Sequence, residues 1–290
     1  MTSGPFTLVS FHAHPDDESL LMGGTLAKAS ASGNRVVLVT ATDGDRGLGD
    51  AADGTGAVLA ERRRHELDEA AEVLGCARVV RLGYGDSGLR PRTGDAAAFA
   101  NADVEAAAER LARILLEEHA DVLTIYDARG GYGHPDHLQV HRVGTRAARL
   151  AGTEVVLEAT VDADSLRRVL RYLSLFGHTL GASMPLGGDD VFTKRSLLTH
   201  RIDVSRQLSV KKRALAAHRS QRRADGQVRV LARLLRLPGP IFSLVFGREW
   251  FVEHGRRPGR LQDDIFATLR HRGGTVDRTT APRNNRVIEG

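Results

Sequence analysis

The chain has 290 residues, a formal net charge of +5 and a single cysteine, Cys76, which excludes an intramolecular disulfide. This length allows a full hydrophobic core in one large or two small domains. No apolar run reaches the roughly 18 residues of a membrane-spanning helix and no signal-peptide pattern follows Met1, so we expect a soluble, cytoplasmic protein.

Apolar runs and amphipathic stretches alternate through the first 160 residues. The patterns predict strands at 7–11, 35–40, 79–82, 122–126 and 154–161, and helices at 19–32, 59–74, 104–118 and 135–150. Strands that alternate with helices of this length indicate βαβ crossovers and a mainly parallel sheet covered on both faces. The sequence therefore predicts an α/β fold, a Rossmann-like three-layer sandwich with a smaller C-terminal extension.

Two clusters of histidine and aspartate lie where predicted strands end. The first is His-Ala-His-Pro-Asp-Asp-Glu at 12–18, and the second is Gly-His-Pro-Asp-His at 133–137. Ligands of parallel sheets bind beyond the carboxyl ends of the strands, so we expect both clusters at one edge. Adjacent carboxylates repel each other unless a cation or a proton transfer uses them. Together the clusters predict a metal-dependent hydrolase.

A catalytic zinc takes three protein ligands and leaves a fourth position for water. We predict that His14, Asp17 and His137 are these ligands, with Pro15 fixing the backbone between the first two. Asp16 is then left beside the metal to accept a proton from the bound water, whose pKa falls to about 7. Ferrous iron fits the same ligands as an alternative to zinc.

The other residues of the clusters receive separate predictions. His134 is expected to protonate a leaving amine or to steady an oxyanion, and Asp136 to orient the imidazole of His134. For His12 the sequence leaves two roles open, support of a metal ligand or simple packing. His141 lies one helical turn after His137, but three ligands are already assigned, so we do not expect it to bind the metal.

The two clusters resemble those of the PIG-L/LmbE-like zinc-dependent N-deacetylases. The resemblance runs from the first predicted strand to about Arg149 and returns at 212–221 and 247–251. It implies removal of an N-acetyl group by hydrolysis. It also implies roles for residues already singled out, with zinc bound by His14, Asp17 and His137, Asp16 as general base and His134 stabilising the transition state.

Within this family the chain is most similar to the actinobacterial branch that deacetylates N-acetylglucosaminyl-inositol or cleaves mycothiol conjugates. Residues 63–66 and 86–89 carry this similarity. It implies that Arg63 and Asp86 bind hydroxyl groups of a small N-acetylated amino-sugar substrate. His218 lies on a helix face predicted to point inward, where it either closes over the substrate or is a buried, satisfied histidine.

We divide the chain into three parts on these patterns. Residues 1–160 are predicted to form the metal-binding α/β core, residues 161–255 to complete the fold and the active-site mouth, and residues 256–290 to be a disordered basic tail. The charge is uneven, because residues 201–290 contain 20 Lys and Arg against 8 Asp and Glu. We expect at most weak contact between this basic third and an anionic membrane surface, and no specific nucleic-acid partner.

Other functions stay open at this point. The enzyme could be an amidase of mycothiol conjugates or a deacetylase of lipid-linked glucosamine, since other branches of the family act on such lipids. Two histidines and a carboxylate also form the triad of ferrous oxygenases, although those enzymes usually have antiparallel β frameworks. A non-enzymatic binding module built on the basic third is a further alternative. The sequence does not decide whether the chain forms a homo-oligomer.

Overall fold

The computed structural model describes residues 5–47, 54–90, 94–175, 192–223 and 230–273. Its strands form one sheet with the order β3-β2-β1-β4-β5-β7-β6. The strands are β1 (Thr7–His12), β2 (Arg35–Thr42), β3 (Arg78–Tyr84), β4 (Val122–Tyr126), β5 (Val155–Thr160), β6 (His200–Asp203) and β7 (Arg248–Glu253). The first five strands are parallel, and β7 is antiparallel to both β5 and β6.

Helices cover both faces of the sheet. They are α1 (Asp17–Ala31), α2 (Ala57–Leu74), α3 (Val104–Glu117), α4 (Pro135–Ala151), α5 (Ala163–Leu175), α6 (Leu208–Ala217), α7 (Arg219–Arg223), α8 (Val230–Leu235), α9 (Gly239–Phe246) and α10 (Ala267–Gly273). Alternate residues of β1 face opposite layers: Val9 and Phe11 pack with α3 and α4, whereas Leu8 packs with α1 and α6. The predicted three-layer α/β fold with a mainly parallel sheet is confirmed.

The sheet positions the two predicted clusters at its centre. β1 pairs with β2 on one side and with β4 on the other. The connections that follow β1 and β4 therefore leave the same sheet edge in different directions, which is the point where open α/β sheets form a ligand crevice. The first cluster follows β1 and the second follows β4, so neighbouring strands carry them.

Helix α1 is interrupted at Met22, where φ is −144° and ψ is 19°. The interruption leaves backbone amides without helical partners, and those of Gly24 and Thr25 donate to the carboxylate of Glu249 on β7 at 2.9 and 2.6 Å. Lys211 on α6 donates to the same carboxylate at 2.6 Å, and both charged groups are buried. This contact joins α1 to the C-terminal part of the chain.

The segment after β7 packs more extensively than the predicted tail. Phe266 stacks on Phe6 with ring centroids 5.0 Å apart, and Ile265 and Leu269 are buried in the same core cluster. This apolar stretch is short and is flanked by Asp264 and Arg270, so the sequence did not indicate that it packs in the core. Only the portion 274–290 of the predicted disordered tail lies outside the described residues. Among the helices that the structure describes, none has the length and apolar character to cross a bilayer.

Candidate metal centre and active site

Three predicted metal ligands come from the two segments that leave the central strands. His14 lies in the turn between β1 and α1, Asp17 is the first residue of α1, and His137 lies in the first turn of α4. Pro135 occupies the start of α4, where its missing amide hydrogen costs nothing. All three candidate ligands are buried, with residue exposures of 7%, 8% and 2% in chain order.

The carboxylate of Asp17 lies at the spacing of tetrahedral ligands from one nitrogen of each predicted histidine ligand. Asp17 Oδ2 lies 3.3 Å from His14 Nδ1 and 3.3 Å from His137 Nε2. Ligand atoms about 2.0–2.1 Å from one tetrahedral metal lie roughly 3.3–3.4 Å from each other. His137 Nε2 is buried without a hydrogen-bond partner, whereas His137 Nδ1 donates to the carbonyl of Gly130 at 3.2 Å. The free lone pair therefore faces the site, and these residues fit a divalent metal.

His134 could also be placed among the ligands by distance alone, because nitrogens of His14, His134 and His137 lie within 4.8 Å of one another. However, His134 caps the N-terminus of α4, and its Nδ1 accepts the amide of Asp136 at 3.2 Å. Burial and the neighbouring histidines lower the pKa of His134 to about 4. The ring is therefore neutral near pH 7 and carries its proton on Nε2, which makes it a donor rather than a ligand.

Asp136 contacts a different histidine from the one predicted. Its Oδ2 accepts from His14 Nε2 at 3.0 Å but lies 4.0 Å from His134 Nδ1. The amide and hydroxyl of Ser87 also donate to this carboxylate. The carboxylate thus orients the imidazole of His14, and leaves His14 Nδ1 to face Asp17. The hydrogen bond between Asp136 and His134 is made by the backbone amide of Asp136.

Asp16 lies beside the candidate metal centre in an unusual backbone conformation. Its φ is 104°, in the left-handed region that side chains with a Cβ disfavour. Arg63 Nη2 donates to Asp16 Oδ2 at 3.3 Å. Burial raises the pKa of Asp16 to about 6; Arg63 opposes this rise and the negative charge of Asp17 adds to it. A carboxylate with this pKa suits a general base near neutral pH.

The three predicted substrate contacts differ in their surroundings. Arg63 is 3% exposed, and besides Asp16 its guanidinium reaches the carbonyls of Gly44 at 2.7 Å and Pro15 at 3.3 Å. Its guanidinium therefore already contacts protein groups. Asp86 is buried next to the metal centre, with Oδ1 3.5 Å from His14 Nε2. Although burial opposes ionisation, the hydrogen bond to His14 keeps the pKa of Asp86 below its usual range.

His218 does not line the open side of the site. It is fully buried and donates from Nε2 to the carboxylate of Glu18 at 2.8 Å. The first of the two alternatives, closure over the substrate, does not match this position. Sequence reasoning missed Glu18 as its partner, because the two residues are 200 positions apart and nothing in the pattern pairs them.

His12 and His141, the two other histidines considered from the sequence, lie outside the proposed ligand set. His12 packs in the sheet, with Nε2 2.6 Å from Ser10 Oγ and Nδ1 3.3 Å from the hydroxyl of Tyr126. Burial lowers the pKa of His12 to about 4, so it is a neutral core residue. His141 Nδ1 donates to the carbonyl of Tyr126 at 3.1 Å.

Comparisons with known sequences identify relatives along most of the chain. The family model of GlcNAc-PI de-N-acetylase, PIG-L, matches residues 9–148. A 1D-myo-inositol 2-acetamido-2-deoxy-alpha-D-glucopyranoside deacetylase of Nocardiopsis dassonvillei is 34% identical over 283 residues, which cover 89% of this chain and 99% of the relative. A second deacetylase of the same description, from Catenulispora acidiphila, is 36% identical over 309 residues and is covered to 98%.

Solved structures show the same fold at low sequence identity. The N,N'-diacetylchitobiose deacetylase of Pyrococcus horikoshii superposes with a TM-score of 0.59 at 21% identity, covering 86% of this chain and 84% of that one. A 4-carboxy-2-hydroxymuconate hydratase of Pseudomonas putida reaches 0.58 at 17% identity, covering 89% and 99%. Because a hydratase shares the fold, the fold by itself does not specify the reaction.

Proposed function

We propose that this chain, which belongs to the PIG-L family of GlcNAc-PI de-N-acetylases, is a metal-dependent hydrolase that removes the N-acetyl group of N-acetylglucosaminyl-inositol. The observation that carries the proposal is the approach of Asp17 Oδ2 to His14 Nδ1 and His137 Nε2, beside a proton acceptor, Asp16, whose carboxylate accepts from Arg63. The substrate follows from relatives that are 34–36% identical along nearly their whole length.

We further propose that the metal is zinc, held by His14, Asp17 and His137. The ligand set of two nitrogens and one oxygen is common in catalytic zinc sites, and ferrous iron is the alternative. When bound, the ion polarises the acetyl carbonyl and lowers the pKa of the attacking water. Asp136 supports this site through His14, because a histidine whose second nitrogen donates to a carboxylate is a better-oriented ligand.

Two residues of the chain handle charge and protons in this mechanism. Asp16, with its pKa raised to about 6, accepts the proton of the attacking water. His134 donates a hydrogen bond from Nε2 to the carbonyl oxygen as negative charge develops there. Because His134 is neutral, it is a poor source of a proton, and we assign the return of the proton to the leaving amine to Asp16.

The experiment that tests the function compares substrates at equal concentration. We expect acetate release from the inositol-linked N-acetylglucosamine with a higher kcat/KM than from free or lipid-linked N-acetylglucosamine. A mycothiol conjugate in the same assay measures the amidase alternative, and oxygen consumption with ferrous iron measures the oxygenase alternative. Absence of acetate release from every acetylated substrate by zinc-loaded protein would refute the proposal.

Metal identity is tested separately by removing and replacing the ion. Chelation should abolish acetate release, and one equivalent of Zn²⁺ should restore it. Ferrous iron added under anaerobic conditions serves as the matched comparison, because it fits the same ligands. If activity returned with iron but not with zinc, the zinc assignment would be replaced.

Contacts beyond the small substrate stay predictions of this proposal. Weak binding to an anionic membrane is tested by sedimentation with vesicles that contain phosphatidylserine, at low and at high salt. The informative deletion removes residues 274–290, since a cut at 256 also removes Phe266 from the core. Light scattering decides whether the chain is a homo-oligomer, and cell fractionation tests the cytoplasmic location.

A further inference from the structure

A network of hydrogen bonds through buried side chains runs from the C-terminal part of the protein to the backbone of Asp16. The amide of Asp16 donates to Glu18 Oε2 at 2.9 Å, and Glu18 Oε1 accepts from His218 Nε2 at 2.8 Å. The hydroxyl of Ser19 also donates to Glu18 Oε1, at 2.5 Å. Glu18 and His218 are both 0% exposed. Neither residue therefore contacts solvent.

These hydrogen bonds end at Asp16, a residue with a strained backbone conformation. Asp16 is one of two non-glycine residues with a positive φ in the described part of the chain. It occupies the N-cap of α1, where an aspartate usually accepts an amide from the first helical turn, yet its side chain makes no such bond. The left-handed backbone turns the carboxylate away from the helix end. A strained conformation of this kind persists only where the surroundings hold it.

His218 is itself held from both sides. It follows the last residue of α6, the helix that Lys211 fastens to Glu249. Two residues later, the amide and hydroxyl of Ser220 donate to the carboxylate of Glu66 on α2 at 2.9 and 2.7 Å. The position of the imidazole is therefore determined by α2, α6 and β7 together.

We propose that Glu18 and His218 are positioning residues that hold Asp16 in its left-handed conformation, so that the carboxylate points toward the attacking water. Neither contacts the reacting atoms; both act through the amide of Asp16. The inference rests on the proposed function in one respect, the role of Asp16 as base. It assigns to the C-terminal part of the chain a direct contribution to the geometry of the active site.

The test compares two substitutions of His218 with a matched buried histidine. His218→Leu removes the donor to Glu18, whereas His218→Gln places an amide donor near the position of Nε2. His200→Leu is the control, because His200 is also 0% exposed but lies on β6, four strands from β1, or about 19 Å across the sheet. We expect His218→Leu to lower kcat about 10- to 100-fold with KM within about twofold and one zinc still bound.

The two other variants separate positioning from stability. His218→Gln should recover most of the lost kcat, and His200→Leu should lower Tm without changing kcat per zinc-loaded molecule. If His218→Leu lowered only Tm and left kcat per zinc-loaded molecule within twofold of the wild-type value, the positioning role would be refuted.

A readout that does not use catalysis keeps this inference separate from the proposed function. The amide of Asp16 should be protected from hydrogen exchange in the wild type and in His218→Gln, and should exchange at least about tenfold faster in His218→Leu. Unchanged protection in His218→Leu would refute the inference even if activity fell. If the amide of Asp16 exchanged faster in His218→Leu but the zinc-loaded wild type released no acetate from any substrate, the positioning would be supported and the deacetylase function refuted.

Discussion

Three consecutive acidic side chains take three different directions in this protein. Asp17 faces the candidate ligand atoms of His14 and His137, Asp16 faces Arg63, and Glu18 turns inward to His218. The left-handed backbone at Asp16 makes this divergence feasible, because it breaks the regular progression into α1. The mutual repulsion expected from adjacent carboxylates is offset by a separate partner for each.

The division of roles between Asp16 and His14 is open to a direct comparison. Asp16→Ala removes the proton acceptor but no predicted ligand, so we expect turnover to be lost while zinc is retained. His14→Ala should lose the metal as well. Kinetics and metal content of the purified variants provide the measurement. Near wild-type deacetylation by Asp16→Ala would show that another group is the base.

Asp136 provides a second comparison at the residue scale. Because its carboxylate accepts from His14 Nε2, Asp136→Asn should weaken zinc binding by about 10- to 100-fold in a chelator competition. Ser87→Ala removes one donor to the same carboxylate and should have a smaller effect in the same direction. A loss of kcat at unchanged zinc affinity would instead indicate that Asp136 acts mainly through His134.

At the scale of elements, the interrupted helix α1 depends on a buried ion pair. Glu249 receives two amides of α1 and the ammonium of Lys211. Sequence periodicity predicted one continuous helix here, because the pattern of apolar residues does not change at Met22. The local sequence pattern could not predict this break, because the carboxylate that stabilises it belongs to β7, more than 220 residues later.

The ion pair yields a prediction for unfolding by urea. Lys211→Met leaves the buried carboxylate of Glu249 without its countercharge and should reduce the free energy of unfolding by about 3–5 kcal/mol. The double variant Lys211→Met with Glu249→Gln keeps an acceptor for the amides and buries no charge. It should therefore be more stable than Lys211→Met alone. Additive destabilisation by the two substitutions would contradict a coupled pair.

At the scale of the whole molecule, buried histidines limit stability in acid. Burial lowers the pKa of His200 to about 4, below its unfolded value of about 6.5. The unfolded chain therefore binds this proton first, and the stability that neutral His200 contributes is present above pH 6.5 and is lost as the pH falls toward 4. The full effect of this shift is about 3 kcal/mol.

His200→Gln tests this pH dependence, because glutamine can keep the hydrogen bond to Thr199 without titrating. We expect the free energy of unfolding of the variant to decline less steeply between pH 6.5 and pH 4 than that of the wild type. Both proteins contain the same carboxylates, so the contribution of these groups to the pH dependence cancels when the two urea denaturation series are subtracted. If the free energies of unfolding of the two proteins declined in parallel, protonation of His200 would not contribute in this pH range.

The sequence by itself determined the α/β class, the five parallel strands and the edge where both histidine–aspartate clusters lie, since these follow from local periodicity and from the rule for strand ends. The clusters also indicated a metal-dependent hydrolase, because closely spaced histidines and carboxylates suit a metal ion that activates water. The partner of each side chain was decided only by the tertiary structure. Asp136 contacts His14 and His218 contacts Glu18 across 122 and 200 residues. Such pairings depend on side-chain direction and on the packing of α6 against α1 and α2, which no local pattern encodes.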